Sequence, residues 1–331
     1  MAEEKKYLYG PVPSRRLGLS LGVDIMPFKV CTLDCIYCQL GKTSEKTIER
    51  KDYFDVEAVL AELRERFVLS EAKDMACRKK EILRCAQNDK SGIADFITIS
   101  GSGEPTLNAG LGRLIEGIKK ITNIPVAVLT NGTLLTDKTV RADCARADVV
   151  VPSLDAGDEQ TFRKINRPHK DISIENLIAG LCAFRNEFTG QMWLEVFFIE
   201  GFNTDSGQIG KIRDAIELIR PDKVQLNTAV RPAAEPGVKR LAAEKLQAIA
   251  KELGEKCEVV ADFSRERYTG DIERKAEDVL SMLKRRPCSL NDICSGLGIG
   301  RNEALKYVGH FRQQGLVHTE EKDGIIFFKA I

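Results

Sequence analysis

Leu17-Gly-Leu-Ser-Leu-Gly-Val-Asp-Ile25, then five residues later Cys31-Thr-Leu-Asp-Cys35-Ile-Tyr-Cys38, is the stretch on which the reading of this chain turns. Residues 17–25 read as a strand, so the cysteines fall on the loop that follows it. Their spacing is C-x3-C-x2-C. A cubane [4Fe–4S] cluster takes four thiolates. Three on one loop would leave one iron without a protein ligand, and an open metal position is what catalysis requires. Three incidental cysteines, or a zinc site completed from elsewhere, are the competing readings. The histidines, His169, His310 and His318, lie far from the loop in sequence, so a local Cys/His zinc site is not expected.

Outward from this loop the chain alternates strands and helices to about residue 268. Residues 55–69 put Val56, Val59, Leu60, Leu63 and Phe67 on one helical face, and 109–121 do the same with Leu111, Leu114, Ile115 and Ile118. Strands are expected at 96–100, 126–129, 149–154, 193–199 and 224–226, and further helices at 174–188, 209–219 and 242–253. Strands alternating with helices imply parallel pairing with right-handed crossovers. The expected fold class is therefore α/β, a partial (β/α)6 barrel of the TIM-barrel kind, with a doubly wound sheet as the competing architecture. Residues 70–93 are too long and polar for an ordinary connection and read as a surface insertion. Its Cys77 and Cys85 lack ligand-like spacing.

After residue 271 the rhythm changes. Helices are expected at 272–286, at 289–297 behind a Ser289-to-Asp292 cap, and at 301–314. A hairpin around Glu321-Lys-Asp-Gly324 follows. That order is a winged helix-turn-helix, so the expected domains are 1–268 and 271–331. Ten Lys/Arg against nine Asp/Glu in 271–331 give no basic footprint for phosphate binding.

The 331 residues are 43% hydrophobic and 30% charged, with a net charge of +1, so neither nucleic acid nor a membrane surface is attracted by global charge. No apolar run is long enough to span a bilayer. The charged start of the chain lacks an apolar stretch, so a cytoplasmic location is expected, where ten cysteines do not imply disulfides.

The cysteine loop, with aromatic Tyr37 just before Cys38, resembles the signature of radical S-adenosylmethionine (SAM) enzymes. The resemblance implies a [4Fe–4S] cluster on Cys31, Cys35 and Cys38, SAM on the open iron, and Tyr37 close to the adenine. One electron would cleave SAM to methionine and a 5′-deoxyadenosyl radical that abstracts a substrate hydrogen. Ser100-Gly101-Ser-Gly103-Glu104 stands where the family's Gly-Gly-Glu motif contacts the SAM amino group, as a variant of that pattern. Asn131, after the next strand, and Ser153 and Asp155, after the one following, resemble the positions that approach the SAM ribose and carboxylate. Gly10-Pro-Val-Pro-Ser-Arg-Arg16, Ile165-Asn-Arg-Pro-His169 and Asn227-Thr-Ala-Val-Arg-Pro232 resemble one subgroup, loosely related to wyosine-forming tRNA-modifying enzymes. A second cysteine group before Cys31, expected of a wyosine-type modifier, is missing.

Substrate contacts are expected where polar residues interrupt apolar strands: Glu195, Gln225, Asn227 and Arg231. A structural ion pair is the alternative for Glu195. Arg15 and Arg16 reach either an anionic group or a surface turn. A low-potential donor, flavodoxin or ferredoxin, is implied, and the C-terminal module would dock nucleic acid, protein or substrate. The expected activity is of oxidoreductase or transferase type on an unknown substrate, RNA among the candidates. The rival is an iron–sulfur redox sensor regulating transcription through the winged helix.

Overall fold

A computed structural model describes residues 7–14, 16–78, 94–230, 233–260, 272–297, 299 and 301–331. Arg15 and Arg231 fall outside these residues, as does most of the expected insertion. The chain opens with a feature the sequence hid. Strand β1 (Leu8–Ser14) pairs antiparallel with β2 (Gly18–Val23), where a single strand over 17–25 was expected. Pro11 and Pro13 mask β1 from a periodicity reading, yet prolines are tolerated on an edge strand, where no neighbour needs their missing N–H. The Ser14 hydroxyl accepts the N–H groups of Arg16 and Leu17 at 3.3 Å each and sets the turn.

Then come the two-residue strands β3 (Val30–Cys31) and β4 (Glu45–Lys46), α1 (Val56–Arg78), β5 (Phe96–Ile99), α2 (Leu111–Ile121), β6 (Val126–Thr130), α3 (Lys138–Cys144) and β7 (Val149–Pro152). Next are α4 (Glu159–Ile165), α5 (Ile174–Glu187), β8 (Gln191–Phe198), α6 (Ser206–Ile219), β9 (Lys223–Thr228), α7 (Ala243–Leu253) and β10 (Cys257–Val259). Helix α1 carries on to Arg78, so the first residues of the expected insertion are helical. The main sheet has the order β1-β2-β5-β6-β7-β8-β9-β10, and every pair after β1–β2 is parallel. A doubly wound sheet reverses direction at a switch point. This order advances one way throughout, as an open, partial barrel requires.

The two faces of the sheet divide the work by alternation. Ile97, Ile99, Val126, Val128, Val150, Leu194, Val196, Val224 and Leu226 join the main core under the helices. On the opposite face Leu17, Ala127, Val149 and Val151, with Phe96, Leu129 and Trp193, form an apolar plug. Beyond it, toward the carboxyl ends of the strands, the same face turns polar and borders a cavity.

The C-terminal residues form α8 (Ile272–Arg285), β11 (Cys288–Ser289), α9 (Leu290–Leu297), α10 (Arg301–Gln313), β12 (Val317–Lys322) and β13 (Ile325–Ala330). Asp292 accepts from the Ser289 backbone and hydroxyl at 2.9 and 2.8 Å, while the Ser289 hydroxyl accepts the Asp292 N–H at 3.1 Å, a closed capping box. Asp323 and Gly324 take φ of 52° and 74°, the left-handed pair of a tight hairpin turn. Val12 of β1 packs against this module's own core, so the module sits on the edge strand of the barrel. Among the described residues, no helix is long and apolar enough to cross a membrane.

Asp158 caps α4 by accepting the Thr161 N–H at 2.9 Å, and also receives Gln208 and Lys211 at 2.6 Å. The Lys211 bond, ahead of the backbone bonds, holds its carboxyl well below the ordinary range. A depressed folded pKa gives stability that is present above the ordinary value and lost as pH falls through the folded one. Asp158→Ala is expected to lower unfolding free energy by about 1 kcal/mol near neutrality. Urea titration should show that difference shrinking below about pH 4.

Candidate functional site

The cysteine loop rises from the carboxyl end of β2 and is held at several points. Ile36 and Asp34 donate their N–H groups to the carbonyls of Ile165 and Asn166, at 2.9 and 3.0 Å. Each of the three sulfurs then meets a different side-chain donor. Asn131 Nδ2 lies 3.5 Å from Cys31 Sγ, Asn166 Nδ2 lies 3.4 Å from Cys35 Sγ, and Lys29 Nζ lies 3.1 Å from Cys38 Sγ. Such donors favour sulfur carrying negative charge. Without a metal the surroundings oppose that charge: burial pushes the Cys31 thiol up to about 12 and Cys35 well above the usual thiol range.

Among the described residues, no three His, Cys, Asp or Glu side chains gather around one ion. Three thiols on one loop, each with its own nitrogen donor, are a donor set suited to a cluster held by three thiolates.

Two buried carboxylates brace the loop. Glu104, 3% exposed, accepts from the Thr106 N–H and hydroxyl at 3.1 and 2.6 Å and from the Thr130 hydroxyl at 2.5 Å. Its second oxygen takes the Asn131 N–H at 2.8 Å. Burial raises the Glu104 pKa and these four bonds pull against it. On the other flank Asp155, 2% exposed, accepts from the Tyr37 hydroxyl, from Asn166 Nδ2 at 2.7 Å and from the Phe197 N–H at 2.9 Å. Burial lifts its pKa to about 6 despite those donors. Tyr37 is thereby pressed onto Phe197, ring on ring at 4.0 Å and 10°.

The glycines of the 100–104 turn serve close packing. At Gly103 a Cβ would come within 2.2 Å of the Val30 carbonyl, and at Gly101, with φ +141°, within 2.4 Å of the Asp24 carboxyl. The turn thus lies directly against the start of the cysteine loop, and Lys29 N–H donates to Ser102 at 2.6 Å.

A cavity of about 360 Å³ opens beside Cys38 at the carboxyl ends of the strands. Tyr37, Gly101, Glu195 and Asn227 line it, together with Ser20, Thr98 and Ser100. Glu195 there is salt-bridged to Arg16 and accepts from Asn227 Nδ2 at 3.0 Å, so the ion-pair alternative and the cavity position hold together. Gln225 does not reach the cavity: it is buried and donates to Glu258 on β10 at 2.8 Å. It precedes Asn227 by two residues on β9 and so sits one register step lower in the sheet. Glu104, Asn131, Gly103 and Asp155 brace the loop and do not line the cavity wall. Ser153 lies just past β7, bridged to the backbone of Glu195.

Relatives fix the family. A UPF0026 protein from Methanocaldococcus jannaschii is 30% identical over 97% of this chain and 94% of its own length. The radical SAM superfamily model matches residues 78–208, the strand–helix units that follow the cysteine loop. The chain belongs to the UPF0026 family, within the radical SAM superfamily. It is also 34% identical, over 98% of its length, to a GTPase Obg of Brachyspira hyodysenteriae, of which it spans 45%. A solved structure of TYW1 shares the fold at TM-score 0.50 and 21% identity, over 76% of this chain and 78% of that one. Radical SAM superfamily enzymes bind a [4Fe–4S] cluster and SAM.

In this UPF0026 chain the sequence reading missed Lys29, Asp24, Asn166, Arg285 and Arg286. Lys29 directly precedes the Val30–Cys31 step, and Asn166 lies in the Ile165-Asn-Arg-Pro-His169 stretch, so both carried a signal. Raised thiol pKa values make the metal-free loop slow to alkylate, since the thiolate is the nucleophile. Mass-mapped iodoacetamide labelling near pH 8 should modify Cys31 and Cys35 at least about tenfold more slowly than a free thiol. The labelling rate should climb steadily with pH.

Proposed function

We propose that the chain is a radical SAM enzyme whose Cys31, Cys35 and Cys38 hold a [4Fe–4S] cluster with one open iron. The observation that carries this reading is the C-x3-C-x2-C loop beside a barrel-end cavity, with a nitrogen donor at each sulfur and Cys38 on the cavity wall. Catalytic sites of α/β barrels lie at this end of the strands. Cys31, Cys35 and Cys38 would hold the cluster, which when bound would supply the electron for reductive cleavage of SAM and so radical chemistry on a substrate C–H bond. A flavodoxin or ferredoxin would restore the electron, in keeping with a reducing, cytoplasmic setting.

The chain's own residues supply position and dryness. Tyr37, clamped by Asp155 and Phe197, gives a flat apolar wall suited to the adenine. Gly101 leaves backbone open at the cavity, and Ser153 stands near the same strand ends. Glu104 is spent on four internal donors, so we assign it the bracing of Asn131. Contact with the SAM ammonium would require it to share those bonds. Glu195 and Asn227, on the far wall, face the substrate.

Residues 272–331 have the helix and strand order of a winged helix-turn-helix, with β11-β13-β12 as the wing sheet. The side chains of Arg301, Asn302 and Lys306 on α10 lie outside the described residues. The redox-sensor alternative leaves the Glu104 network and the polar cavity without a use and finds no support among the relatives. The subgroup's likeness to wyosine-forming enzymes keeps RNA among the substrate candidates.

The test is anaerobic reconstitution with iron and sulfide, then dithionite and SAM, with 5′-deoxyadenosine quantified. Product is expected from wild type and lost in Cys35→Ala. Zinc in place of iron, with no SAM cleavage, would contradict the reading.

A further inference from the structure

The cavity carries more positive charge than its partners can balance. Among the described residues three arginines line it: Arg16 is paired with Glu195, Arg285 shares Asp24 with other donors, and Arg286 has no carboxylate partner. Arg285 and Arg286 come from the end of α8, in the C-terminal module, and Met282 of the same helix joins them on the wall. Arg285 lies 3.6 Å over the Tyr9 ring and donates to Ser281 Oγ at 3.2 Å. Its nearest carboxylate, Asp24, is 3.6 Å away and already accepts from Ser102 Oγ at 2.5 Å and from the Ser102 and Met26 N–H groups. The buried Arg285 Nε has no hydrogen-bond partner among the described residues. Arg286 has neither an ion pair nor a side-chain hydrogen bond among them.

The net charge of the chain is only +1, so these two guanidinium groups are not part of a general basic surface. A cation held in a half-buried cavity without a full partner is costly, and a ligand of opposite charge removes the cost. Guanidinium groups match phosphate oxygens through paired N–H donors.

We propose that the cavity takes a small substrate bearing a phosphate group, and that Arg285 and Arg286 bind that group. The C-terminal module is then a wall of the active site, not a separate docking domain. This identity as substrate rests on the radical SAM reading, whereas the anion site itself does not. The cavity's size suits a small molecule better than a folded macromolecule, and the near-neutral charge of residues 271–331 offers no track for a nucleic-acid backbone.

The experiment is isothermal titration of the full chain with inorganic pyrophosphate at low salt, without and with SAM, and with acetate as control. Saturable binding at one site per chain is expected, with acetate much weaker. Arg286→Gln should weaken pyrophosphate binding at least about tenfold, and Arg286→Lys should keep part of it. Arg113→Gln, on the exposed Asp52 pair away from the cavity, should change nothing. Thermal unfolding of each variant separates lost binding from lost fold, and the Arg286 side chain makes no hydrogen bond or ion pair among the described residues whose loss would destabilise it.

No saturable binding, or binding unchanged in Arg286→Gln, would overturn the proposal. Pyrophosphate displaced by SAM would also overturn it, because the arginines would then serve the SAM carboxylate. Tight binding of a short RNA without binding of pyrophosphate would overturn it in favour of a nucleic-acid substrate. A chain that binds pyrophosphate through Arg286 but never cleaves SAM would contradict the enzymatic reading and leave the anion site standing.

Discussion

The site depends on two buried carboxylates that grip the cysteine loop from opposite sides. Glu104 fixes the backbone of Asn131, whose amide reaches Cys31, and Asp155 fixes the amide of Asn166, which reaches Cys35. A buried carboxylate without partners is expensive, and each of these collects donors from several separate segments. Glu104 joins the turn after β5 to the end of β6. Asp155 joins the loop itself to β8 and to the end of α4. Loosening either would release a sulfur's donor and, for Asp155, the Tyr37 ring as well. Cys31 lies in the short β3–β4 pairing, and the irregular backbone after it is ordered by these side chains together with the backbone bonds of Asp34 and Ile36.

How much of this was legible beforehand follows from the physics of each feature. The cysteine spacing, the strand–helix alternation and the partial barrel were readable because they are local or periodic. The one-way strand order was not, since periodicity carries no information on which strand lies beside which. β1 escaped because Pro11 and Pro13 look like breakers, and only an edge position lets them into a sheet. Glu195 and Asn227 stood out as polar residues in apolar strands, and both reach the cavity. Gln225 carried the same mark and instead satisfies Glu258 across β9 and β10. Alternation gives the face of a strand but not the height along the barrel.

Side-chain partners over long sequence separation were the least legible. Glu104 and Asp155 were marked by motif position, but the bonds that consume them run to Asn131, Tyr37 and Asn166. Arg285 and Arg286 belong to a helix that reads as part of another module. Their place on the cavity comes from the packing of that module against β1, where Val12 joins the module's core and Tyr9 meets Arg285. The apolar face of α8 builds the module's core, and the end of the same helix delivers charge to the barrel. A domain boundary drawn near residue 270 thus separates residues that line one cavity.

The central claim, a cluster on this loop with one iron open to SAM, is tested most directly by electron paramagnetic resonance of the reconstituted chain. The dithionite-reduced protein, with about four irons per chain, should give a [4Fe–4S]⁺ signal whose g values move when SAM is added. A signal unmoved by SAM, or a chain that takes up zinc and no iron, would contradict it.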